Sequence, residues 1–283
     1  MLIYRNTFEN IKTINSNFPI EDQFYVNDNG DEAIVADGIT RDPIGISDFN
    51  LISFDEFIKN YPRPSGGEIA AKTIVDTFKN SKGTLKNRLI ECNNEVRKIN
   101  AKYLKKCDYL ENDYYGAVAS CVKLDSNTLH YAFICDCGVI IYDKFGNIKF
   151  KTADEKELLS DPYINKIGIP WNLKEARVIV RRDYRNNPNN IKDNKCVSYG
   201  ALTGEEEAIN FIRTGKVELS PSDIVVLYSD GFVNFLDDKK FINLLLNFDK
   251  ERFEKYVNEK AKEYYDKYGK EKTIIVLKDV IKC

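Results

Sequence analysis

The stretch Asp223-Ile-Val-Val-Leu-Tyr-Ser-Asp-Gly-Phe232 constrains this chain more than any other. Its apolar run, Ile224 to Tyr228, is short, unbroken and rich in β-branched residues. Such a run reads as a strand buried on both faces, which requires a packed layer above it and another below. The run ends in a carboxylate, Asp230, held at the mouth of a rigid element. Gly231 follows, and a residue without Cβ lets another group or a metal approach the backbone closely. The same grammar recurs near the start of the chain in Glu32-Ala-Ile-Val-Ala-Asp37-Gly38. Asp-Gly is also the commonest two-residue hairpin turn, and either pair taken alone reads more simply as a turn.

The 283 residues allow one large domain or two small ones, with a sizeable core. A net charge of −2 leaves no electrostatic footprint for nucleic acid. The N-terminal Met-Leu-Ile-Tyr-Arg-Asn-Thr-Phe-Glu has no long apolar core, which argues against a secretory signal. No apolar run reaches the length of about 18 residues needed to span a membrane. The seven cysteines are scattered and odd in number, the pattern of reduced thiols in a cytoplasmic protein. Cys135-Asp136-Cys137 lacks the spacing of a zinc or redox motif, and two thiolates alone do not close a tetrahedral site.

Taken in order, residues 1 to 36 read as strands, with Asn27-Asp-Asn-Gly30 as a turn. Residues 39 to 66 form a long loop with Pro43, Pro62 and Pro64, and one short helix is expected around Asp55 to Lys59. A loop of this length inside a domain tends to be functional or mobile. Helical patterns follow from Gly67 to Asn80 and from Thr84 to Cys107. In the second, Leu85, Leu89, Cys92, Val96, Ile99 and Tyr103 form one apolar stripe. Four strand-like runs between Ala117 and Lys151 predict an antiparallel meander, with His130, Ala132, Ile134 and Asp136 on one strand face. The lone histidine, His130, sits mid-strand and is expected to be structural or superficial. Residues 152 to 200 are irregular and flap-like. Within them Arg181, Arg182 and Arg185 are candidates for a bidentate phosphate clamp, although a solvated loop is the plainer reading. Glu205 to Arg213 reads as a short helix ending at Gly215. Helices over Asp238 to Phe248 and Lys250 to Tyr268, then a strand over Thr273 to Leu277, close the chain. Strands and helices fall in separate blocks, which predicts an α+β fold of packed antiparallel sheets with helix pairs outside.

Four acids stand at or beside strand ends: Asp22, Asp37, Asp136 and Asp230. The chain has no phosphate-binding loop of the P-loop type and no nucleophile elbow, and one histidine makes a histidine-based triad improbable. A carboxylate-only constellation suits hard cations such as Mg²⁺ or Mn²⁺. Two such ions roughly 3.5–4 Å apart share a water, lower its pKa and clamp a phosphoryl group for in-line attack.

These residues resemble the metal-dependent Ser/Thr protein phosphatases of type 2C, and the resemblance runs over nearly the whole chain. Glu21-Asp22 resembles the family's early Glu-Asp. Ala33-Ile-Val-Ala-Asp37-Gly38 resembles the strand that delivers the metal-bridging Asp and the carbonyl-donating Gly. Gly67-Glu-Ile-Ala-Ala71 resembles the helix start that follows, and Gly116-Ala-Val-Ala the Gly-Thr-Thr strand. Phe133-Ile-Cys-Asp136-Cys-Gly resembles the segment whose Asp serves a third, weaker metal, and Asp223 to Phe232 the strand ending in a ligand Asp. The resemblance implies a single phosphatase-like domain over 1–283, built as a four-layer sandwich of two antiparallel sheets flanked by helix pairs. It implies two Mn²⁺ or Mg²⁺ ions, a third at Asp136, and hydrolysis of phosphoserine or phosphothreonine by a metal-activated water. A phosphorylated protein is then the substrate, and a cognate kinase a signalling partner.

Asp37, Asp230 and Asp22 are the implied catalytic residues. Asp37, Gly38, Asp230, Asp136, Glu21 and Glu271 are the implied metal donors. The sequence also departs from the family pattern. Ile39-Thr40-Arg41 replaces a Gly-Gly continuation, and Asn17 stands near the place of the phosphate-binding Arg. Lys270 takes the place of a metal-coordinating carboxylate, with Glu271 beside it facing the other way if the strand has begun. Phosphate orientation would then fall to Arg41 or to the arginines at 181, 182 and 185. The same departures support an alternative, a catalytically impaired, phosphatase-shaped binding or regulatory module whose 39–66 loop serves a partner.

Overall fold

The alternation along Ile224–Tyr228 sets the layers. All five residues are buried. Val225 and Leu227 point into one apolar cluster, while Ile224, Val226 and Tyr228 point into another on the opposite face. A strand buried on both sides needs two partners, and the computed structural model supplies them. It describes residues 1–14, 16, 18–41, 53–109, 113–169 and 174–281.

The first sheet has five antiparallel strands in the order β1-β12-β11-β6-β7. They are β1 (Leu2–Phe8), β12 (Lys272–Lys278), β11 (Ile224–Tyr228), β6 (Gly138–Tyr142) and β7 (Ile148–Lys151). The second sheet has the order β10-β5-β4-β3-β2. Its strands are β10 (Arg213–Glu218), β5 (Thr128–Ile134), β4 (Ala117–Asp125), β3 (Glu32–Gly38) and β2 (Gln23–Val26). Val139 and Ile141 of β6, Val225 and Leu227 of β11, and Ile275 and Leu277 of β12 meet the second sheet in a shared core. Burying each such side chain fully is worth about 1.5–3 kcal/mol.

The outer faces carry the helices. On the second sheet lie α2 (Gly66–Asn80) and α3 (Leu85–Tyr103), which bury Ile74, Phe78, Leu89 and Val96. Their starts are set by Ser65 and Thr84, whose hydroxyls accept from the backbone N–H groups of Glu68 and Asn87. On the first sheet lie α6 (Lys239–Leu246), α7 (Lys250–Glu263) and α8 (Tyr265–Tyr268). They cover it with an aromatic cluster that includes Phe232, Phe235, Phe241 and Phe253. The result is the expected α+β sandwich with helices outside both sheets.

Several local expectations are corrected. The run 117–151 is not one meander. β4–β5 belongs to the second sheet and β6–β7 to the first, so the chain changes sheets at Cys135-Asp136-Cys137. Cys135 has φ of +69°, the left-handed conformation that turns this corner, and Asp136 therefore lies beyond the strand that carries His130. The short helix expected from Glu205 is a 3₁₀ helix, Glu206–Phe211, and Gly215 lies within β10 rather than capping it. The stripe on α3 ends early, with Ile99 half-buried and Tyr103 exposed. Buried Asn93 and Asn100 continue that face instead. Asn93 bonds the backbone of Gly204 and Glu205, and Asn100 bonds that of Tyr115 and Thr203. The last helical pattern breaks at Tyr264, between α7 and α8.

The 39–66 loop contains α1 (Phe54–Asn60), started by a capping box between Ser53 and Glu56. Its residues 42–52 lie outside the described residues. The flap-like segment holds two short helices, α4 (Asp161–Ile164) and α5 (Lys174–Ile179), and a small hairpin of β8 (Ile191–Lys192) and β9 (Lys195–Cys196). The six described cysteines are free. Among the described residues no helix is long and apolar enough to cross a membrane.

Candidate metal centre

Neither Asp-Gly pair is a hairpin turn. Asp37 and Gly38 are paired within β3, opposite Val118 and Ala117 of β4. Asp230 begins a 3₁₀ turn just past the end of β11. The glycines answer a need for close backbone approach. A Cβ on Gly38 would lie 2.6 Å from the Gly67 carbonyl at the start of α2, and one on Gly231 would lie 2.2 Å from the Glu271 carbonyl. Both distances are far below contact, so these positions exclude any larger residue without backbone shifts.

The strand ends open into one cavity of about 550 Å³ at the seam between the two sheets. Asp22, Asp37, Asp136, Asp230, Glu21 and Glu271 all line it, as do Lys156 and Lys270. β3 delivers Asp37, the turn after β11 delivers Asp230, and the sheet-changing corner delivers Asp136. Asp22 lies just ahead of β2. Lys270 and Glu271 precede β12, so strand alternation does not separate them and both face the cavity.

The acids repel one another in a poorly hydrated space. Burial, then the charges of Asp22, Asp230, Asp136 and Glu271, push the Asp37 carboxyl well above its ordinary value. Burial is also the leading cause at the others. Asp22 rises to about 7 and Asp136 to about 6, each with Asp230 adding repulsion, while Glu271 rises to about 8 with Asp22 adding to it. Behind the wall, Lys272 is fully buried and donates to the Lys270 carbonyl at 2.6 Å. Burial lowers its pKa to about 8 although Asp22 and Glu271 act in the opposite sense.

Two of the predicted donors are already engaged. Both carboxylate oxygens of Glu21 accept from hydroxyls, one from Tyr61 at 2.8 Å and Ser65 at 2.5 Å, the other from Thr40 at 2.6 Å. Glu271 accepts from the backbone N–H groups of Glu21 and Asp22 at 2.8 and 2.6 Å. Glu271 thus holds the Glu21-Asp22 backbone, and Glu21 ties that backbone to the end of α1 and the start of α2. Asp22 accepts from Ser229 Oγ at 2.7 Å, and Ser229 Oγ accepts from the Thr273 N–H at 2.9 Å.

The four predicted phosphate-binding arginines do not line the cavity. Arg185 and Arg181 converge on buried Asp113, with nearest separations of 2.6 and 2.9 Å. Arg182 pairs with Asp183, its neighbour, on the surface. Arg41 is buried and lies over the Tyr115 ring, 4.6 Å from its centroid. Sequence reasoning also passed over the hydroxyl partners Thr40, Tyr61 and Ser65, the Thr273 backbone N–H that fixes Ser229, and Lys156. Only Ser65 carried a signal, as a capping residue ahead of Gly66-Gly67-Glu68.

No family model matches the sequence, and no curated protein matches it. Solved structures do. A bacterial serine phosphatase superposes with a TM-score of 0.60 at 14% identity, covering 100% of this chain and 99% of that one. The Mycobacterium tuberculosis serine/threonine phosphatase PstP/Ppp gives 0.58 at 15% identity, covering 97% of both chains. The fold is that of the type 2C Ser/Thr phosphatases. The PstP catalytic domain solved in complex with two manganese ions shares this type 2C architecture with a TM-score of 0.57 at 14% identity, covering 97% of this chain and 96% of that one. Identities this low carry the architecture alone, and the chemistry has to be argued from the cavity.

Its donors are oxygen-only and anionic, the set hard cations prefer, and their raised pKa values mark charge that the walls leave incompletely neutralised. The donor chemistry fits Mg²⁺ or Mn²⁺. Among the described residues, however, no three of these acids are drawn together into a ready-made cage.

Proposed function

We infer that this chain is a metal-dependent protein phosphatase acting on phosphoserine or phosphothreonine. The observation that carries the reading is the delivery of Asp37, Asp230, Asp136 and Asp22 from separate elements into one cavity. Asp37, Asp230 and the Gly38 carbonyl would hold two Mn²⁺ or Mg²⁺ ions. The chemistry they supply when bound is Lewis-acid activation of water and of the phosphoryl group. Asp22, fixed by Ser229 and titrating near neutrality, is placed to exchange a proton with water during hydrolysis. Lys270, exposed at the cavity rim, offers an ammonium to the phosphate where the arginines do not reach. Under this reading the substrate is a cytoplasmic phosphoprotein and the opposing enzyme a kinase.

A second reading, a non-catalytic module of the same shape, is favoured by Lys270 facing the cavity and by the lack of a ready-made cage among the described residues. One experiment separates them: hydrolysis of a small aryl phosphate with Mn²⁺ and with chelator, beside Asp37→Asn and Asp230→Asn. Turnover that requires Mn²⁺ and falls to background in both variants supports the phosphatase. A folded wild-type protein with no turnover above its variants supports the module.

A further inference from the structure

Lys156 enters the cavity from the flap-like segment, and the backbone puts it beside the sheet-changing corner. Thr152 N–H donates to the Val139 carbonyl at 2.9 Å, and the Thr152 hydroxyl accepts from the Val139 N–H at 2.9 Å. Three residues on, Glu155 N–H donates to the Cys135 carbonyl at 3.5 Å. The Glu155 side chain is anchored in turn by Arg213 at 2.5 Å. The segment 152–155 is therefore stitched along the corner that carries Asp136. The next residue, Lys156, lines the same cavity as Cys135 and Asp136.

The geometry points to Lys156 as a built-in cation for Asp136. Its ammonium serves the Asp136 carboxylate in place of a bound ion, so divalent cations enter the cavity only at its Asp37–Asp230 end. The second half of this statement rests on the metal-dependent reading above; the pairing itself does not. The charges agree with it. Burial is the largest single influence and works against the Lys156 ammonium, yet the charges of Asp136, Cys135, Tyr199 and Asp161, with Asp136 foremost, together outweigh it and hold the pKa above its ordinary value. A tethered ammonium also has an advantage over a dissociable ion, because its local concentration does not depend on the solution.

The pairing is tested in chelator, without any metal, by urea unfolding of Lys156→Met in the wild-type and Asp136→Asn backgrounds. Lys156→Met should lower the midpoint in the wild-type background and lower it less, or not at all, beside Asp136→Asn. Equal losses in both backgrounds would overturn the pairing. The exclusion is tested by calorimetric titration with Mn²⁺ and a direct metal count. Asp136→Asn should bind the same number of ions as the wild type, with a dissociation constant within about twofold. Lys156→Met should gain an ion that the double variant does not, and Lys156→Arg should keep the wild-type count. An ion lost in Asp136→Asn would overturn the exclusion. A wild-type protein that binds no Mn²⁺ would remove the metal-dependent reading, and the unfolding cycle would still decide the pairing.

Discussion

Asp113→Ala should cost the protein a large part of its stability. The Asp113 side chain is 2% exposed and receives Arg185 through two hydrogen bonds, at 2.6 and 3.1 Å, and Arg181 at 2.9 Å. Both guanidinium groups are themselves buried, so removing the carboxylate leaves two cations in a poorly hydrated space. Breaking a buried pair in this way costs about 3–5 kcal/mol. For a chain of this size that corresponds to a fall in Tm of roughly 6–20 °C. Burial alone would raise the Asp113 carboxyl; Arg185 and Arg181 outweigh it and hold the value below normal. The contribution is therefore complete above the unfolded carboxylate value of about 4 and is lost as acid carries the pH down through the depressed folded value. Urea unfolding at pH 7.5 in chelator measures it. Arg182→Ala is the control, because its pair with Asp183 is exposed and should change stability by no more than about 0.5 kcal/mol. An Asp113→Ala protein within about 1 kcal/mol of wild type would refute the reasoning.

The cavity acids give the opposite pH dependence. Asp22, Asp136 and Glu271 have folded values raised to about 7, 6 and 8, so the native state holds more protons than the unfolded chain between pH 4 and 8. The chelated protein should lose Tm as pH rises through that window, and Asp22→Asn should flatten the profile; Lys272 acts in the other direction only above about pH 8. Gly38→Ala should destabilise by about 1–3 kcal/mol, because its methyl group meets backbone atoms of Gly67 and Glu21 that have no side-chain freedom to yield; a neutral result in urea unfolding would contradict the close approach. Glu21→Ala strips one buried acceptor from three hydroxyls and should cost about 2–4 kcal/mol, while raising proteolytic cleavage within 53–65. Cleavage equal to wild type would show that Glu21 does not hold that segment.

The parts of the fold that follow from chain-local physics were legible. The double-sided burial of Ile224–Tyr228 demanded layers on both faces, and the block-wise order of strands and helices gave packed antiparallel sheets. The corner at Cys135 was not legible, because a strand run does not say which sheet its successor joins, and a positive φ at a cysteine leaves no mark in the sequence. Alternation over Lys270-Glu271 did not apply because both residues precede β12, which begins at Lys272. At the cavity, Asp37 and Asp230 announced themselves as Asp-Gly pairs at the ends of apolar runs, and Asp22 and Asp136 as acids beside strand ends. Their supporting groups did not, Ser65 as a helix cap aside, since Thr40, Tyr61 and Thr273 act through long-range hydrogen bonds that no local pattern encodes. Arg181 and Arg185 looked like a phosphate clamp only because Asp113, distant in sequence, could not be placed beside them.

The change of sheets at Cys135-Asp136-Cys137 has a mechanical consequence. Asp37 rides on one sheet and Asp230 on the other, with Asp136 at the crossover between them. The spacing of these carboxylates is therefore a gauge of how one sheet slides over its neighbour. Interior packing between Ile141, Leu227 and the facing strands becomes the suspension on which that gauge hangs. A substitution that shifts this packing by a fraction of an ångström should register in the cavity before it registers in overall stability.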